Sequence, residues 1–203
     1  SMDLLSDNVF NATLNTTGFA SGTYFVDINA TDKAGNIRTV DNGAVIVISS
    51  SAKGAYTNSS VSTVINQPTM ISANTSATTT VNLGIITNTS TSGSVAIIEY
   101  NSTENQTVSG YRVLGKFIEI ETSSEIKNNL KWAWLNISYS QAEVDVAGID
   151  ESTLRAWYYN STTNQWIQES NSGVDANRNY VWANVNHFSL YGLYGTPPAP
   201  SPT

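Results

Sequence analysis

The chain has no cysteine and a single histidine, His187. It therefore has no disulfide framework, and zinc cannot be held by the usual Cys/His ligand sets. Basic residues are scarce as well. Nine Lys and Arg stand against 16 Asp and Glu, giving a net charge of −7 and a pI near 4.5. That balance argues against nucleic acid and against anionic lipid surfaces, and no Lys/Arg cluster overrides it. Charged residues make up only 12% of the chain, about half the ~25% usual for soluble domains. No apolar run reaches the roughly 18 residues of a membrane helix, so no direct membrane contact is expected within this segment. No secretory leader is expected within this segment either. Ser1-Met2 reads as an expression scar, and the chain reads as an excised piece of a longer exported protein.

What replaces charge is Asn, Ser and Thr. The 23 asparagines include ten Asn-x-Ser/Thr sequons, at Asn11, Asn15, Asn29, Asn58, Asn74, Asn88, Asn101, Asn105, Asn136 and Asn160. Given this composition, roughly six would arise by chance, so the excess is real but modest. Sequons matter only to a protein that passes a glycosylation system and then faces the outside. A cysteine-free, acidic, sequon-rich chain fits an extracellular place on a prokaryotic cell surface, archaeal more than bacterial. With 40% hydrophobic residues, five Trp and ten Tyr, the chain can still pack a core.

Period-2 alternation dominates. Tyr24, Val26, Ile28 and Ala30 alternate with Phe25, Asp27 and Asn29, the pattern of a half-buried strand. The stretch Asp32-Lys33-Ala34-Gly35-Asn36 supplies a turn, and a second strand is expected over Ala44–Ile48. A Ser/Ala/Gly-rich linker is expected at 50–60 and a main domain at 61–195. Expected strands there are Ser62–Ile65, Thr78–Leu83, Ser94–Tyr100, Gly110–Glu121, Lys131–Tyr139, Thr153–Tyr159, Gln165–Glu169, Tyr180–Asn184 and Phe188–Tyr194. Only Ser123–Asn129 and Gln141–Ile149 read as helical turns, and 196–203 is a Pro-rich spacer. The expected class is all-β, an antiparallel β-sandwich.

Two resemblances follow from these residues. The run Gly22 to Asn36 resembles the last strands of prokaryotic Ig-like modules, which would make 1–49 the C-terminal part of one. From Leu130, the order Lys131-Trp132-Ala133-Trp134-Leu135, Ile149-Asp150-Glu151, Arg155-Ala156-Trp157-Tyr158-Tyr159, Gln165-Trp166 and Val181 to Tyr191 resembles the C-terminal β-domain of archaeal S-layer-type surface proteins, the PGF-pre-PGF class. That resemblance implies a cell-surface β-module lying ahead of a spacer and anchor, with no defined activity.

Chemistry is sparse. His187-Phe188-Ser189 resembles the cleavage signature of self-cleaving β-domains in a nucleoporin and in death-domain adaptors. Carried over, Ser189 would attack the Phe188 carbonyl and His187 would orient or deprotonate it. That step also needs backbone strain and an oxyanion donor. A bulge near Asn186 would return Phe188 to the core and distort the backbone at this point. The plainer reading is a core Phe whose neighbours satisfy backbone groups.

Asp27, Asp32, Asn36 and Asp41 surround a turn and offer oxygens to calcium, but solvated turn carboxylates are the favoured reading. Asp150-Glu151 reads as a turn or helix start. Glu99, Glu119, Glu121, Glu143 and Asp145 have no evident partner, and no motif pairs them for hydrolysis. Trp132, Trp134 and the sequon Asn136 share one strand face, either an exposed platform for glycan contact or two core indoles, with the core reading favoured. Trp157, Trp166 and Trp182 read as core fillers.

The expected function is a non-catalytic structural or adhesive module of a glycosylated surface protein, without cofactor, contacting other surface proteins or glycans. An autoproteolytic domain and a carbohydrate-binding module are the alternatives.

Overall fold

The computed structural model describes residues 2–6, 9–12, 15, 19, 22–31, 34–48, 52–103 and 106–199, with 2–6, 9–12 and 41–43 described as backbone only. Two hairpins come first: β1 (Met2–Ser6) with β2 (Val9–Ala12), and β3 (Gly22–Thr31) with β4 (Ile37–Ile48). Gly35 takes φ +88°, the left-handed conformation its turn needs.

The remainder is an antiparallel β-sandwich. One sheet has six strands: β5 (Ala52–Thr63), β8 (Thr91–Tyr100), β9 (Arg112–Thr122), β11 (Arg155–Asn160), β12 (Gln165–Gln168) and β15 (Leu190–Gly195). Their spatial order is β12-β11-β15-β9-β8-β5. The other sheet has five: β6 (Thr69–Ser76), β7 (Thr79–Thr87), β10 (Leu130–Ser138), β13 (Ser172–Asp175) and β14 (Tyr180–Val185), in the order β13-β14-β10-β7-β6.

Alternation decides which face each strand buries. On β10, Ala133, Leu135 and Ile137 point inward beside Val81, Leu83 and Ile85 of β7 and Val181, Ala183 and Val185 of β14. They meet Val95 and Ile97 of β8, Leu114, Ile118 and Ile120 of β9, and Tyr191 and Leu193 of β15. Small and β-branched side chains dominate, as a tightly interdigitated sandwich core requires.

A polar bridge crosses one end of this core. Glu99, fully buried on β8, accepts from Thr75 (2.8 Å), Thr79 (2.8 Å) and Lys53 (2.8 Å). Lys116, 1% exposed on β9, donates to Thr79 Oγ1 (2.7 Å) and pairs with Glu143 (2.9 Å). Thr79 thus relays between a buried cation and a buried anion. These bonds hold the Glu99 carboxyl below its ordinary value against the opposing and largest influence, burial.

Both expected helical turns form, as α1 (Ser124–Lys127) and α2 (Gln141–Ala147). Ser140 and Glu143 close a capping box on α2, and Gly148 ends it at φ +61°. Asp150 caps the 3-10 turn Glu151–Thr153, as its loop position implied.

The segment expected to be a linker at 50–60 differs: Ala52–Thr63 is an edge strand paired along β8. Its alternation is carried by Ala52, Gly54 and Tyr56, half-buried residues too small or polar to register as a hydrophobic pattern. Strands β6 and β13 lie outside the strands that the sequence pattern predicts.

Candidate functional site

Three places compete for function: the His-Phe-Ser segment, the outer face of the five-stranded sheet, and a cleft between them.

The His-Phe-Ser segment is a sheet-to-sheet crossover. β14 ends at Val185, and the chain enters the other sheet only at Leu190, so a strand break takes the place of the expected bulge and the last strand begins later than Phe188. Phe188 packs on the main core. Ser189 Oγ donates to the Tyr159 carbonyl (3.1 Å), and the Ser189 carbonyl accepts from Ile120 N (3.0 Å). Neither imidazole nitrogen is bonded to Ser189. Nδ1 lies 3.1 Å from Asn186 Oδ1, and Nε2 lies 3.9 Å from Glu169 Oε1. The buried Tyr191 hydroxyl pins the His187 carbonyl at 2.7 Å. Among the described residues, the non-glycines at positive φ are Asn66, Asn164 and Asn179, none of them in this segment.

The outer face of the five-stranded sheet is aromatic. Trp132 and Trp134 lie on it with ring centroids 5.6 Å apart, and Trp132 is 37% exposed. This overturns the favoured core reading of the pair. Trp182, expected as a core filler, also lies on this outer face, across from Asn136 and two residues from Asn184. The sheet accommodates flat indoles through two glycines. Gly84 stands opposite Trp134, where an added Cβ would fall 2.2 Å from the ring. Gly173 stands opposite Trp182, where a Cβ would fall 2.7 Å away. Each indole thus lies across a neighbouring glycine, covering backbone that glycine leaves bare. Asn136, Asn82, Asn184, Ser72 and Asn74 share the face by register. The sequence signal for this arrangement is a glycine in each of two strands, Gly84 and Gly173.

Trp157 and Trp166, by contrast, are buried in a second aromatic cluster with Phe117 and Tyr194, as expected of core fillers.

At one end of the open face lies a cleft of about 420 Å³ lined by Trp132, Glu169, Ser170, Asn171, Asn184, Val185 and Asn186. Glu169 is 8% exposed, and its Oε1 has no hydrogen-bond partner; neither does His187 Nε2. Burial pushes the Glu169 carboxyl up to about 7 and the His187 imidazole below its ordinary value. His187 packs edge-on against Tyr158, with centroids 4.6 Å apart.

Other candidates lie apart. Asp27 and Asn36 are exposed around the β3–β4 hairpin, while Asp32 and the Asp41 side chain fall outside the described residues. No group of three acidic, His or Cys side chains suited to a metal occurs among the described residues. Glu119 accepts from Tyr100, and Glu143 is held by Lys116 and its capping box. Of the ten sequons, Asn105 and the Asn11 side chain are not described. Asn15, Asn29, Asn74, Asn88 and Asn101 are exposed, and Asn58, Asn136 and Asn160 are half-buried. Comparison of the chain with known protein families, curated proteins and solved structures found no match.

Proposed function

We propose that the chain is a non-catalytic structural and adhesive module of a glycosylated extracellular protein on a prokaryotic, archaeal-type cell surface. The observation that carries this reading is the aromatic-and-amide face of the five-stranded sheet. A sandwich that buries small aliphatics inside and sets three indoles outside presents a rigid contact surface at low cost in side-chain entropy. None of the eight described sequon asparagines is buried, which suits sugar attachment. The bonds at Ser189 and His187 suit a packing role for His-Phe-Ser, since neither imidazole nitrogen stands ready to take the hydroxyl proton.

Two measurements test the reading. Intact mass under denaturing conditions is expected to show a single species at 21.9 kDa. A species lacking Ser189–Thr203 that disappears in Ser189→Ala would replace this reading with self-cleavage. Beads coated with the protein are expected to adhere to envelope fragments of the producing cells, and Trp134→Ala with Trp182→Ala to abolish adhesion. Adhesion unchanged in that pair would remove the sheet face from the proposal.

A further inference from the structure

The cleft beside Trp132 is more specific than the face it adjoins. Its lining combines one exposed indole, the exposed amides of Asn171, Asn184 and Asn186, the Ser170 hydroxyl, and a buried carboxyl. No Lys or Arg lines it. An indole plane matches the apolar face of a pyranose ring, while amides and a carboxyl match its hydroxyls, each able to take or give a hydrogen bond. The volume of about 420 Å³ lies within the range of small-ligand sites. Glu169 also lines the cleft, while its Oε1 is sealed from solvent and faces His187 Nε2 at 3.9 Å. A net charge of −7 and a lining without a cation disfavour anionic sugars.

We propose that this cleft binds a neutral saccharide, with one ring stacked on Trp132 and its hydroxyls shared among Asn171, Asn184, Asn186 and Glu169. The assignment rests on the adhesive reading and gives that surface its ligand class. A free polysaccharide and an N-linked glycan on another copy offer the same chemistry.

The test uses the full chain made in a host that does not glycosylate it. Neutral hexose and N-acetylhexosamine tetrasaccharides, a neutral N-glycopeptide and a sulfated control are titrated by calorimetry. Saturable binding of a neutral sugar is expected, weakened about tenfold or more in Trp132→Ala. Preference between tetrasaccharide and glycopeptide identifies the source. Because burial makes Glu169 titrate near neutrality, parent affinity should vary between pH 5.5 and 8.5. Glu169→Gln should retain binding but lose the part of that variation above pH 6.5, where the neighbouring His187 is already neutral. Failure of every neutral sugar to bind at about 10 mM would overturn the assignment, as would undiminished affinity in Trp132→Ala or tighter binding of the sulfated control. If sugars fail while adhesion still depends on Trp134 and Trp182, the cleft assignment falls alone and the contact is with protein. If sugars bind but coated beads do not adhere, the adhesive reading falls instead.

Discussion

Both sheets carry aromatic residues on their outer faces, and only one of those faces is closed. On the six-stranded sheet, Phe117, Trp157, Trp166 and Tyr194 form a second core, joined by Tyr100, Val108, Tyr111, Val113, Tyr159 and Leu190. The β8–β9 connection closes over it. Tyr111 packs on Trp157 at 4.7 Å, Gly110 at φ +81° lets the connection turn back, and the Tyr194 hydroxyl donates to the Gln106 carbonyl at 3.0 Å. On the five-stranded sheet, Trp134 and Trp182 lie beside glycines, and neither they nor the exposed Trp132 have a covering loop among the described residues. Similar residue types thus do two jobs: where a loop returns, they stabilise the fold, and where none does, they remain available for contact.

The largest expected effect sets one face against the other. Trp166 touches Phe117, Tyr159 and Tyr194, with centroids at 5.8, 5.4 and 5.3 Å. Trp166→Ala should cost about 3–5 kcal/mol in urea unfolding, through lost burial and a residual cavity. Trp132→Ala, on the open face, should cost within about 1 kcal/mol. Equal costs would mean that the open face is part of the core.

Next in size is the pH response at the open face's edge. Glu169 titrates near 7 when folded and near 4.5 as an ordinary carboxyl, because burial disfavours its charge. Below about 4.5 it is protonated in both states. Between 4.5 and 7 the unfolded chain ionises first, so the folded state binds more protons and stability declines as pH rises, by up to the order of 3 kcal/mol. His187, lowered by burial, acts the other way: its contribution is lost as pH falls below 6.5. At 3.9 Å the two couple, which trims each effect. Glu169→Gln should remove the decline of the urea midpoint between about pH 4.5 and 7 and leave the loss that His187 causes as pH falls below 6.5. A parallel profile in parent and variant would place the Glu169 charge in water.

How much of this was legible in the sequence depended on locality. The alternation Trp132-Ala133-Trp134-Leu135-Asn136-Ile137 correctly divides β10 into two faces. Which face turns inward does not follow from hydrophobicity, because indoles outrank alanine as apolar payload yet fit poorly between closely packed sheets. The choice is fixed by register, which sets Gly84 beside Trp134 through a pairing 50 positions apart and Gly173 beside Trp182 through the β13–β14 hairpin. Strand β6 escaped because Met70, Ser72 and Asn74 face out while only Ile71 and Ala73 supply apolar residues inward. Glu169 and His187 are 18 positions apart, and only the crossover at 186–189 brings them together.

Gly84→Ala sharpens the argument from register. A methyl group 2.2 Å from the indole must lift Trp134 from the sheet, since the clash is with a ring lying across the strand. The expected cost is about 1–3 kcal/mol, with a red-shifted tryptophan emission as the ring meets water. The double variant Gly84→Ala/Trp134→Ala should recover part of that loss. Additive costs in the double variant would mean that the glycine serves the backbone rather than the indole.

The smallest expected effect tests what keeps the other face shut. Tyr194→Phe preserves the ring packed against Trp157 and Trp166 and deletes only the hydroxyl that reaches Gln106. One lost hydrogen bond of this kind costs about 1 kcal/mol, because the freed carbonyl can turn to water. The effect should be local: amide exchange should quicken in 106–111, where Tyr111 N bonds the Val108 carbonyl, and stay unchanged at Trp134 and Trp182. Unchanged exchange in the loop would assign its closure to Val108 and Tyr111 alone. The difference between the two faces would then rest on two apolar side chains in a connection, a change small enough for one sheet to acquire and the other to lack.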